Sequence, residues 1–327
     1  MRAPAVSPRL MPQVLDDWPS IIRLPKDRPP EGDPADPGVQ AAFCRYVQRL
    51  GPFMLPDTRR LFAAVDDAHF ENDSSPVGPQ RCVIVDGAPH AGKTYTALAK
   101  AFVETRDQWE GTAISNDPAV SRVIPWAYVE IPPEARASSV LLSILIFCGM
   151  PQGATRGNTA TILMTQLRRI APQVGLRGVI IDDSHGIAGT DPRLVADILK
   201  TAVTGIPATV VVCGANLRTR GLFDSLGGRQ VAERANWVHL GDWAPPQKKA
   251  PFGAWAELVT HIEKAKVLPD PAKQVNLNSL QVLTLLANGS LQQPGSAIKW
   301  LKRAAVHAIR HQSDLDQSSL MSTSQVR

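Results

Sequence analysis

Between Leu61 and Trp243, short apolar runs alternate with amphipathic stretches, the pattern of a mostly parallel sheet covered by helices. The runs predict strands at 82–86, 126–131, 178–182, 209–213 and 237–240. Helices are expected between them, near 93–105, 138–148, 159–170, 192–204 and 217–226. Val210, Val211 and Val212 leave no polar face, as expected of a strand with helices on both sides.

The flanks read differently. Residues 1–60 contain Pro25, Pro29, Pro30, Pro34 and Pro37, too many for a long helix or a central strand, and predict an extended arm. One short helix is expected over 39–50, where Phe43, Val47 and Leu50 recur at helical spacing. After Ala244-Pro245-Pro246 the stripes Trp255, Leu258, Val259, Ile262 and Ile298, Leu301, Ala305, Ile309 predict a small helical lid. Residues 312–327, dominated by Ser, Gln and Asp, predict disorder. The expected division is therefore an arm over 1–60, an α/β domain over 61–245, a lid over 246–311 and a tail over 312–327.

Composition adds two constraints. The 35 Lys+Arg against 30 Asp+Glu give a net charge of +5, compatible with an anionic partner such as nucleic acid. The four cysteines are far apart, and three lie in apolar runs, so buried reduced thiols are expected rather than a disulfide framework or a metal site. Residues 1–15 carry Pro4, Pro8 and Pro12 and lack the apolar core of a signal peptide, so a cytoplasmic location is expected.

The chemistry is concentrated at Gly87, Ala88, Pro89, His90, Ala91, Gly92, Lys93 and Thr94, the phosphate-loop pattern between an apolar strand and a helix. Glycines let the backbone wrap close to phosphate oxygens, and Lys93 supplies a point charge for the β- and γ-phosphates of ATP. The Thr94 hydroxyl is a candidate ligand for Mg²⁺. The complementary acid-ended strand is Gly178-Val-Ile-Ile-Asp182-Asp183, with Asp182 as the Mg²⁺ ligand and Asp183 as the group that polarises the attacking water. A strand at 126–131, between the two motifs, points to the branch in which another strand separates the phosphate loop from the Mg²⁺ strand. Asn216, after the run ending Val-Val-Val-Cys-Gly-Ala, is a candidate reader of the γ-phosphate or, equally, a helix cap. Arg229 and Arg234 precede the last strand, where ring-forming ATPases place an arginine that reaches a neighbour's nucleotide; Arg234 is preferred. Lys299, Lys302 and Arg303 in the lid read as a solvated basic face or, alternatively, as cations for nucleotide or DNA phosphates, and His185 reads as a packed histidine.

The phosphate loop, Val-Ile-Ile-Asp-Asp-Ser-His-Gly-Ile, Val-Val-Cys-Gly-Ala-Asn and Ala-Glu-Arg-Ala-Asn-Trp-Val-His-Leu-Gly-Asp-Trp follow one another in an order that resembles the TniB/TnsC family of transposition ATPases, relatives of the phage Mu B protein. The resemblance covers roughly residues 55–310. It implies an AAA+ P-loop ATPase fold with a helical lid, assembly on double-stranded DNA in the ATP state as a ring or helical filament, and recruitment of a DDE transposase linked to a target-selection protein. It also implies DNA contacts from 105–123, with Arg106 and Arg122 as candidates. Asp183 stands where relatives carry Glu, and Ala215 where they often carry a hydroxyl residue, so hydrolysis is expected to be slow. Two other readings share the nucleotide residues: a helicase-loader or replication-initiator ATPase, and a nucleotide-switched signalling ATPase without DNA.

Overall fold

The computed structural model describes residues 29–75, 80–111, 123–131, 136–151, 159–182, 192–219, 221–246, 253–270, 273 and 276–324. Their contacts divide into an α/β unit, including Arg60–Gly87 and Lys93–His239, and a helical unit that takes residues 29–59, Ala88–Gly92 and the chain beyond Leu240.

Five parallel strands form the α/β unit: β1 (Cys82–Asp86), β2 (Trp126–Glu130), β3 (Gly178–Asp182), β4 (Thr209–Cys213) and β5 (Ala235–His239). Their order is β2-β3-β4-β1-β5. Every residue of β1, β3 and β4 is buried, which is why these strands read as unbroken apolar runs. β5 is a half-buried edge, and its polar Asn236 and His239 blur the pattern that marks the other strands. A strand does separate the phosphate-loop strand from the acid-ended strand, and it is β4 that does so. β2, which precedes β3 in the chain, pairs only with β3 at the edge.

The connecting helices of this unit are α3 (Lys93–Gly111), α4 (Ala137–Phe147), α5 (Ala160–Val174), α6 (Pro192–Gly205) and α7 (Leu226–Ala232), preceded by α2 (Pro56–Ser74), with α1 (Pro37–Arg49) before it in the chain. Two differences from the sequence reading have local causes. α2 is a 19-residue helix within and beyond a stretch marked as too proline-rich for one. Pro56 is its first residue, where a missing N–H costs no intrahelical bond. Conversely, the helix expected over 217–226 is absent among the described residues: the chain turns there, Gly221 adopts φ +69°, and α7 starts only after Ser225, whose hydroxyl accepts from the Gly228 amide.

The helical unit packs α1 with α8 (Ala254–Lys264), α9 (Leu280–Gly289), α10 (Pro294–His311) and α11 (Gln317–Ser322). Residues 37–55 belong to this core: Phe43, Val47 and Leu55 are buried in it, and the Tyr46 hydroxyl donates to the Ala265 carbonyl. The prolines that suggested an arm lie ahead of α1 or at its first position. Asp57, 5% exposed, accepts from the Gly241 amide and from Trp243 Nε1, each at 2.9 Å, and so ties the start of α2 to the segment after β5. The tail is ordered through Ser324 rather than disordered. Leu315 and Leu320 are fully buried, Trp300 Nε1 donates to the Leu320 carbonyl at 3.0 Å, and Asp316 caps α11. A polar composition hid two leucines that complete a core. Leu320→Ala is expected to destabilise the protein by about 2–5 kcal/mol in denaturant melts; an unchanged midpoint would return the tail to the disordered reading.

Candidate functional site: a phosphate-binding loop and the strand ends beside it

β1 ends at Asp86 and α3 begins at Lys93; between them the backbone turns through positive φ at Gly87 (149°), His90 (66°) and Gly92 (94°). Such a path turns successive N–H groups toward one concavity, and the first N–H groups of α3 have no partner within their helix. Lys93 is 9% exposed, and its ammonium folds back on the Gly87 carbonyl at 3.0 Å, so the cation is held within the loop's own turn. Ala88, Pro89, His90 and Ala91 form the tip, closed by the Ala91 amide on the Ala88 carbonyl at 3.3 Å. Thr94 stands half-buried in the first turn of α3. The arrangement can hold an anion through backbone donors and one buried ammonium.

Two glycines of the helical unit fit closely against this tip, and the sequence reading gave them no such role. A Cβ on Gly295, in the first turn of α10, would run into the His90 carbonyl and lie 3.2 Å from the Gly92 amide nitrogen. One on Gly241, where φ is +94°, would meet Gln293 and lie 3.0 Å from the Ala91 Cβ. A close backbone approach of this kind leaves no periodic signal in the sequence.

Around the C-terminal end of β1, Asp86 accepts the Leu217 amide at 2.7 Å and the Gly87 carbonyl accepts the Asn216 amide at 3.3 Å. Asn216 therefore sits beside the first glycine of the loop, exposed and at φ +54°, a conformation asparagine tolerates. Turns follow it, and the next helix is capped by Ser225, so the alternative of Asn216 as a helix cap is removed.

Asp182, 2% exposed at the end of β3, accepts from the Tyr128 hydroxyl at 3.0 Å. A carboxylate and the Thr94 hydroxyl are hard oxygen donors, the type that suits Mg²⁺, so this donor chemistry fits the cation that the motif implies. Asp183, His185 and Arg122 lie outside the described residues.

Arg234 lies just before β5, its carbonyl accepting the Cys82 amide at 3.2 Å. That is the opposite end of β1 from Gly87, about 20 Å away at the usual rise of a strand, so Arg234 is not brought to the phosphate loop of its own chain. Arg229 is exposed on α7 and donates to the Asp224 carbonyl at 3.1 Å. Arg106 is half-buried on α3, 3.7 Å from Asp107. Lys302 is corrected as a phosphate candidate: it donates to the carbonyls of Gln48 (3.1 Å) and Leu50 (2.7 Å) at the end of α1, and burial pushes its ammonium down to about 8. On α10, a helix without an acidic residue, Lys299 is exposed and Arg303 half-buried. Burial likewise pushes the Cys82 and Cys148 thiols up to about 12, which makes them inert core residues.

No described helix is long and apolar enough to cross a membrane. No protein-family description and no curated protein matches the chain. Among solved structures it is similar to the Aeropyrum pernix ORC2 protein in ADPNP-ADP complexes, at 18% identity and TM-score 0.59, covering 85% of this chain and 71% of that one. It is also similar to the ORC1 protein of the same organism in complex with DNA (14%, TM-score 0.53, 85% of this chain and 66% of that one). A third similarity is to Drosophila ORC bound to DNA (16%, TM-score 0.51, 91% and 67%). These likenesses are of fold: with the sheet order and the strand-loop-helix at 82–111, the chain has the AAA+ P-loop ATPase fold.

Proposed function

We propose that this chain is an ATP-dependent regulator of DNA transposition, which assembles on double-stranded DNA in its ATP state and recruits a DDE transposase to a site set by a target-selection protein. The observation that carries the nucleotide part is the phosphate loop itself, with three positive-φ residues and the buried ammonium of Lys93. The loop N–H groups and Lys93 hold the β- and γ-phosphates. Thr94 and Asp182 are the Mg²⁺ ligands, and the cation, when bound, neutralises charge on the phosphates. Asp183 orients the attacking water, one methylene shorter than the glutamate of relatives. Asn216, beside Gly87, reads the γ-phosphate. Arg234 acts on a neighbouring subunit's nucleotide, a role its distance from Gly87 favours.

The DNA part rests on the sequence resemblance to TniB/TnsC proteins and on the DNA named with two of the similar structures. Arg106 and Arg122 are the candidate contacts. Slow hydrolysis would make ATP a timer for the assembly. The second reading, a replication-initiator ATPase, is favoured by the likeness to ORC proteins and shares every nucleotide residue. Titration of a labelled duplex with the protein tests what both have in common. Affinity is expected to be at least about tenfold higher with a slowly hydrolysed ATP analogue than with ADP, the scale of ordinary ligand coupling. Equal affinity in both states, or none, would leave the signalling reading. A transposase gene beside the one for this chain would separate transposition from replication initiation; its absence would favour the second reading.

A further inference from the structure

The parallel register pairs Tyr128 with Ile180 and Glu130 with Asp182, so the side chains of Tyr128, Glu130 and Asp182 emerge on one face of the sheet. The Tyr128 hydroxyl lies 3.0 Å from Asp182 Oδ2 and 3.1 Å from Glu130 Oε1. It has one hydrogen and two carboxylate acceptors. Tyr128 is 3% exposed and Asp182 2%, whereas Glu130 reaches solvent. We propose that Tyr128 is a positioning residue for Asp182, orienting its carboxylate toward the divalent cation of a bound nucleotide, with Glu130 as the alternative acceptor. The proposal rests on the nucleotide reading above. A directed donor on one oxygen fixes the rotation of the carboxylate and so aims the group, as partners behind metal ligands commonly do. Burial, followed by the two carboxylates, raises the phenol well above the usual tyrosine range and keeps it a neutral donor.

Tyr128→Phe keeps the buried ring and removes only the hydroxyl. The full chain, wild type and variant, is titrated with a fluorescent slowly hydrolysed ATP analogue, once in Mg²⁺ and once in EDTA. The affinity gained on adding Mg²⁺ is expected to fall about 10- to 100-fold in the variant, while affinity in EDTA stays within about twofold. The same Mg²⁺ gain in both proteins, or an equal loss with and without Mg²⁺, would overturn the proposal and leave the nucleotide reading standing. Failure of the wild type to bind the analogue at all would overturn the nucleotide reading, and this one with it. Glu130→Ala, an exposed change, is expected to retain the Mg²⁺ gain; a loss as large as that of Tyr128→Phe would assign the effect to Glu130 and overturn the role of Tyr128.

Discussion

Lys93→Ala is expected to lower affinity for ATP by roughly 10- to 100-fold and to abolish nucleotide-dependent DNA binding, because a hydrogen bond to a charged group contributes about 1.5–3 kcal/mol. The substitution also removes the hydrogen bond from the Lys93 ammonium to the Gly87 carbonyl, so the loop loses an internal tie as well as its charge. Lys93→Arg is not a rescue: the bulkier planar guanidinium does not fit a position that is 9% exposed and folded back on its own loop. Nucleotide titration checks the prediction. Wild-type affinity in Lys93→Ala would remove Lys93 from the site.

Gly295→Val is expected to have the second large effect. Its side chain would meet backbone atoms, the His90 carbonyl and the Gly92 amide, which cannot rotate out of the way as a side chain can. Overpacking of this kind costs about 1–3 kcal/mol. The loop tip belongs to the same compact unit as Gly295, so the strain falls on the phosphate loop. Analogue affinity should therefore drop together with the melting temperature. Gly253→Ala is the matched control, since a Cβ there meets nothing within 4 Å. Equal behaviour of the two variants would show that the tip yields freely.

Much of the site was legible because its chemistry is local in the chain. Gly87, Gly92, Lys93 and Thr94 lie within eight residues behind an apolar strand, and β1, β3 and β4 are buried on both faces, so motif and strand bounds could be read directly. What stayed hidden depends on contacts between distant segments. The link from Tyr128 to Asp182 spans 54 residues and exists only in the β2–β3 register. Asp57 meets Trp243 across 186 residues. Lys302 looked like a free cation until α1 was packed against α10, where it caps two carbonyls. Composition misled where a few residues decide: Pro56 opens a helix instead of preventing it, and Leu315 and Leu320 anchor a segment otherwise made of polar residues.

Whether nucleotide state controls assembly on DNA is decided by sedimentation of the full chain with a long duplex. With a slowly hydrolysed ATP analogue and Mg²⁺, the protein is expected to co-sediment with DNA as a large oligomer, Lys93→Ala is not, and a chase with ADP is expected to release the wild type. Identical sedimentation with the analogue, with ADP and without nucleotide would contradict that control.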